Sequence, residues 1–155
     1  MPKKPKVLFL STGNSAQSQM AEGFMRHLGG DRFVIASAGI EPSGIDPMAV
    51  DVMAEIGIDI SKQQPKNVTE SLREHFAYVT TVCDAAKERA PVFPFTPNLV
   101  RWNLIDPLQT EGSYENVRDA FRRVRDEIKS KVEVFLKDIA QKERDQEHAA
   151  AALHS

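Results

Sequence analysis

The segment Ser11-Thr12-Gly13-Asn14-Ser15-Ala16-Gln17-Ser18 gathers small and hydroxyl-bearing residues over eight consecutive positions. Where a strand turns into a helix, such a loop can aim several backbone N–H groups at one point, and the helix dipole adds positive potential there. A tetrahedral oxyanion is the ligand this arrangement suits. Gly13 can take positive φ without steric cost, and Asn14 tolerates it better than most residues. Ser15 and Ser18 supply hydroxyls. The same spacing also fits a capped helix start with no ligand, its boundary at Ser15 or Ala16. A Walker A motif is excluded because no Gly-Lys-Ser/Thr follows, and a dinucleotide fingerprint is excluded because its glycines are missing.

The elements around this loop predict where it sits. Lys6 to Leu10 is a nearly continuous apolar run, the mark of a strand covered on both faces. Met20, Phe24 and Leu28 share one helical face, and Gly29-Gly30 ends that helix. Phe33 to Ser37 reads as a second strand. Asp46-Pro47 reads as an N-cap followed by proline at the first helical position, opening a short helix that Gly57 closes. Val68 to Phe76 is compatible with a helix. Tyr78 to Cys83 is β-branched and predicts a third strand, Ala85 to Arg89 a helical turn, and Leu99 to Trp102 a fourth strand. Pro91, Pro94 and Pro97 mark irregular chain between them. From Ser113 to about Ile139, apolar residues recur every three or four positions, a long amphipathic helix. Arg122, Arg123 and Arg125 are expected on its solvated side. The alternation predicts an α/β fold: an open, mostly parallel four-stranded sheet with helices on both faces. Ligands bind such sheets beyond the carboxyl ends of the strands, where the 11–18 loop emerges.

The 155 residues predict one domain over 1–139, followed by a frayed or disordered tail over 140–155. Twenty basic and 22 acidic residues give a net charge of −2 with no basic block, which argues against nucleic acid and anionic membranes as partners. No apolar run approaches the ~20 residues of a membrane span, and Val7 to Leu10 is too short for a signal-peptide core. A cytoplasmic protein is expected. Cys83 is the only cysteine, so neither an internal disulfide nor an intramolecular dithiol cycle can form.

The run Val7-Leu8-Phe9-Leu10-Ser11-Thr12-Gly13-Asn14-Ser15-Ala16-Gln17-Ser18-Gln19-Met20-Ala21-Glu22-Gly23 resembles the signature of thioredoxin-coupled arsenate reductases, which share their fold with the low-molecular-weight phosphotyrosine phosphatases. Ser37 to Glu41, Gly57 to Ser61, Thr81 to Ala86, Trp102 with Asp106-Pro107, and Phe121 to Ile128 continue the resemblance in order, to about Leu136. The resemblance implies a cysteine nucleophile opening the loop and an arginine six positions later that clamps the oxyanion. It also implies a second cysteine after the third strand, a third that closes a disulfide for thioredoxin to reduce, and an aspartate before proline as general acid. Ser11 stands at the nucleophile position, Gln17 at the clamp, Cys83 at the second cysteine, Ala90 at the resolving cysteine and Asp106 at the general acid. Thr12, Gly13, Asn14, Ser15, Ala16, Gln17 and Ser18 are the oxyanion-binding candidates.

Three of these replacements bear on the chemistry. Donors at a helix N-terminus can bring a cysteine to a pKa of ~3.5–7.5, whereas a serine hydroxyl needs an adjacent general base. None of His27, His75, His148 and His154 sits where a base is expected. Gln17 offers hydrogen bonds without the charged fork of arginine. With its attack partner missing, Cys83 reads as an inert strand-end thiol. Some relatives hold potassium with Asn14, Glu22, Ser37 and an aspartate near Pro65. Lys66 stands at that last place here, so no metal site and no cofactor are expected, thioredoxin being only the family's external reductant. The expected function is a family member that retains the oxyanion loop but is inactive or arrested. The alternatives are a non-catalytic phosphate, arsenate, sulfate or phospho-partner binding protein, and a phosphatase-like hydrolase.

Overall fold

A computed structural model describes residues 4–83, 86, 96 and 98–154. Four strands, β1 (Lys6–Ser11), β2 (Val34–Gly39), β3 (Tyr78–Thr81) and β4 (Asn98–Arg101), form one sheet in the order β2-β1-β3-β4. All three pairings are parallel. The chain leaves β1 for β2 on one side and later reaches β3 on the other, so the segment after β1 sits at the switch point of the sheet. Among the described residues the helices include α1 (Gln17–Gly29), α2 (Pro47–Ala54), α3 (Val68–Ser71) and α4 (Tyr114–His154), with 3₁₀ turns at Gly30–Arg32 and Pro107–Gln109.

The alternation of β1 divides the core. Val7 and Phe9 face a cluster with Met20 and Phe24 of α1, Val52 and Met53 of α2, and Phe121, Ile128 and Phe135 of α4. Trp102 belongs to this cluster, its ring 5.6 Å from Phe9 and 6.1 Å from Phe135 between centroids. Leu8 and Leu10 face the other side, with Ala38, Val79, Val68 and Phe76. A strand apolar on both faces is thus buried on both, as its sequence requires.

Asp46 caps α2 as its sequence predicts, its carboxylate accepting the Met48 N–H at 2.8 Å with Pro47 at the first helical position. Gly30 ends α1 at φ +61°. The helix expected over Val68 to Phe76 is only one turn, Val68–Ser71. Asn67 caps it, but Phe76 must enter the second cluster and the Ala77 N–H must reach the Lys6 carbonyl to start β3, so the helix cannot continue. At the other end α4 runs as helix to His154, carried by helix-forming residues and bonds such as Gln141 to Asp145. Arg125 is not on the solvated side: it is buried and donates to the Val52 carbonyl and the Glu55 carboxylate. Arg122 pairs with Glu55 at 2.6 Å, which docks α2 on α4. The helical turn expected at 85–89, except Ala86, and the prolines at 91, 94 and 97 lie outside the described residues, as does Ala90. Among the described residues no helix is long and apolar enough to cross a membrane.

Candidate oxyanion site

The carboxyl end of β1 delivers Ser11 to the sheet edge, and the next five residues curl back before α1 begins. Positive φ falls on Asn14, at 48°, and not on Gly13. Gly13 instead sits close to two serine side chains: a Cβ there would lie 2.9 Å from Ser43 Oγ and 3.3 Å from Ser15 Oγ, both able to rotate. Gly39, at the end of β2, is required for space from outside the loop: a Cβ would meet Asn14 N at 2.9 Å. Ala16 takes the N-cap position of α1 and has no side chain able to cap, so the first-turn amides are left to whatever enters the loop.

Ser11, Thr12, Gly13, Ser15, Ala16 and Gln17 wall a cavity of about 40 Å³, joined by Cys83, Asp106 and Leu108. The structure therefore brings together residues from β1, from the end of β3 and from the turn before Pro107. Cys83 is half-buried on this wall, with Thr12 Oγ1 3.9 Å from its sulfur. Asp106 accepts the Leu108 N–H at 2.9 Å, which fixes its carboxylate at the start of the 3₁₀ turn.

Asn14 and Ser18, fully buried, do not wall the cavity; they brace Ser11 from behind. Ser11 Oγ accepts the Asn14 N–H at 3.0 Å and lies 2.6 Å from Ser18 Oγ. Ser18 Oγ in turn accepts the Asn14 side-chain amide at 2.9 Å. Ser11 and Ser18 thus share one hydroxyl–hydroxyl bond in which either oxygen can donate. Gln17 turns aside: its amide donates to the Ile105 carbonyl at 2.9 Å and the Leu104 carbonyl at 3.4 Å.

Several positioning residues carry no local sequence signal. Gln19 donates to the Asn14 carbonyl at 3.0 Å, and Gln63 donates to the Gln19 carbonyl and side chain. The Lys66 N–H donates to Asn14 Oδ1 at 2.9 Å. The residues that hold potassium in some relatives do not fit the ion here. Glu22 accepts the Ser37 hydroxyl at 2.6 Å and Arg26 Nε at 3.0 Å, Asn14 Oδ1 is taken by Lys66, and Arg26 already supplies the positive charge.

A parallel α/β sheet carrying an anion-type loop at its switch point defines the class. Residues 6–145 match the family described as low molecular weight phosphotyrosine protein phosphatase, and the chain belongs to it. Among its relatives are arsenate reductases. That of Halalkalibacterium halodurans is 42% identical over 132 residues, 85% of this chain and 95% of that protein. That of Bacillus subtilis is 39% identical over 129 residues, 83% of this chain and 93% of that one. A solved structure described as an arsenate reductase in the phosphate binding state superimposes with a TM-score of 0.76 at 32% identity, covering 87% of this chain and 98% of that one.

Proposed function

We propose that this chain holds a tetrahedral oxyanion, phosphate or arsenate, in the 11–18 loop without running the redox cycle of its relatives. The observation that carries this reading is the setting of Ser11 Oγ, an oxygen on the cavity wall bonded to the Asn14 N–H and the Ser18 hydroxyl, with no general base among its partners in the described residues. Those contacts suit a hydroxyl that donates to a bound anion. They do not take its proton, which nucleophilic attack by serine requires.

Reduction of arsenate consumes two electrons, which a protein supplies by joining two thiols in a disulfide. Cys83 is the only thiol, so the chain cannot close that bond within itself, and thioredoxin has no internal disulfide to reduce. The Gln17 amide, tied to the Leu104 and Ile105 carbonyls, adds no charge toward the anion. Binding is therefore weak and rests on backbone donors and the Ser11 and Ser15 hydroxyls.

Two measurements test this. Titrating phosphate or arsenate while following the loop amides by NMR should move resonances between Thr12 and Ser18, and unmoved amides would remove the binding claim. Incubation with arsenate, thioredoxin, its reductase and NADPH should form no arsenite above the protein-free blank. Steady turnover there would refute the lost redox cycle.

A further inference from the structure

We propose that the exposed stripe of α4 beside the edge strand β4 is a self-association surface, occupied by a second copy of this chain in a two-fold, antiparallel arrangement. The sheet ends at β4, which pairs only with β3 among the described residues. Between β4 and α4 lies a groove of about 770 Å³, by far larger than the oxyanion cavity. Its lip carries two large aliphatic side chains in solvent, Leu99 at 64% and Val134 at 56% exposure. Apolar side chains exposed together on a groove mark an interaction surface more often than isolated ones do.

The charges of the same stripe identify the occupant. Glu127, Lys131, Val134, Asp138 and Lys142 follow one another at steps of three or four residues, so they form one row along the helix. Lys131 and Asp138 lie equally far from the midpoint between Val134 and Phe135, and so do Glu127 and Lys142. Each equidistant pair has opposite sign. An antiparallel copy placed on a two-fold axis at that midpoint thus sets Lys131 against Asp138 of the other copy, and Glu127 against Lys142, while the Val134 side chains meet near the axis. This is the self-complementarity an isologous interface needs. Glu127, Lys131 and Asp138 take part in none of the ion pairs among the described residues. Lys142 is already steered to the groove, donating to Asn98 and lying 5.6 Å from the Tyr78 ring centroid.

The competing use of these charges is within one helix, as Glu127–Lys131 and Asp138–Lys142 pairs four residues apart. Charge reversal separates the two. By sedimentation velocity the full chain should self-associate with rising concentration. Lys131→Glu and Asp138→Lys should each weaken association on the order of tenfold or more, since each turns two attractions into two repulsions. Mixing the two variants should restore it, because in the mixed pair position 131 of each chain again faces its opposite charge at 138 of the other. Leu99→Lys, outside the helix, should weaken association without touching either intrahelical pair, and circular dichroism should show all three variants equally helical. A chain that stays monomeric up to its solubility limit overturns the proposal. So do single variants that weaken association without rescue on mixing, which is the intrahelical outcome.

Discussion

The Gln17 carboxamide nitrogen lies 2.9 Å from the carbonyl oxygen of Ile105, 88 residues further along the chain. The side chain of Gln17 thus holds the Asp106 turn against the loop, its amide nitrogen directed to the Leu104 and Ile105 carbonyls. The first side chain of α1 acts as a tie between two walls.

Gln17→Arg should turn this tie into a clamp. A guanidinium adds charge-assisted bonds to phosphate, about 1.5–3 kcal/mol, or on the order of ten- to a hundredfold in affinity. Isothermal titration calorimetry with phosphate checks it, and unchanged affinity would mean that residue 17 cannot turn toward the anion.

Combining Gln17→Arg with Ser11→Cys should produce hydrolysis of a small aryl phosphate, because donors at the helix start favour a thiolate and Asp106 stands on the same wall. Adding Ala90→Cys should be necessary before arsenate is reduced repeatedly with thioredoxin. Absence of hydrolysis in the double variant would refute the roles given to this wall; thioredoxin-driven cycling without the change at 90 would misplace the third thiol.

Ser18→Ala should destabilise the fold by about 1–3 kcal/mol, since the Asn14 amide loses its buried acceptor and Ser11 its hydroxyl neighbour. The midpoint of urea unfolding reads this directly. A change within error would show that the pair behind Ser11 is replaced by water.

Gly39→Ala should cost about 1–3 kcal/mol through overpacking, because the atom opposite the new methyl is the backbone nitrogen of Asn14, which cannot swing away. The loop should shift, and phosphate-induced changes in its amide spectrum should shrink. An unaltered titration would place the loop's register under other control.

Acid should loosen the joint between α2 and α4. Hydrogen bonds from Arg122 first, and also from Arg125, hold the Glu55 carboxyl from its ordinary 4.5 down to about 2, against some desolvation. A lowered folded-state pKa means stability fully present above about 4.5 and lost as pH falls from there toward 2. Thermal unfolding of the wild type should therefore drop across that window more steeply than that of Glu55→Gln. Parallel curves would sink the assignment.

The reading of β1 came from local physics: an apolar run followed by small polar residues specifies a buried strand and a turn at its end. The Asp46-Pro47 cap and the face of α4 to Ile139 were legible for the same reason, since the chemistry lies within one or two helical turns. The short α3 was not, because its length is decided by where Phe76 must pack. The burial of Arg125 is not legible locally, because nothing within its own helix signals the Val52 carbonyl and Glu55.

For the site, residue types alone settled what chemistry is on hand: a loop rich in N–H donors, a single thiol in the whole chain, and a neutral amide at position 17. Folding settled the rest. Contacts spanning tens of residues put Cys83 and Asp106 on the wall with Ser11 and turned Gln17 toward Ile105. Short-range preferences follow from neighbours in the chain, whereas the direction a side chain takes at a crossing of elements depends on which distant backbone atoms the packing leaves within hydrogen-bond reach.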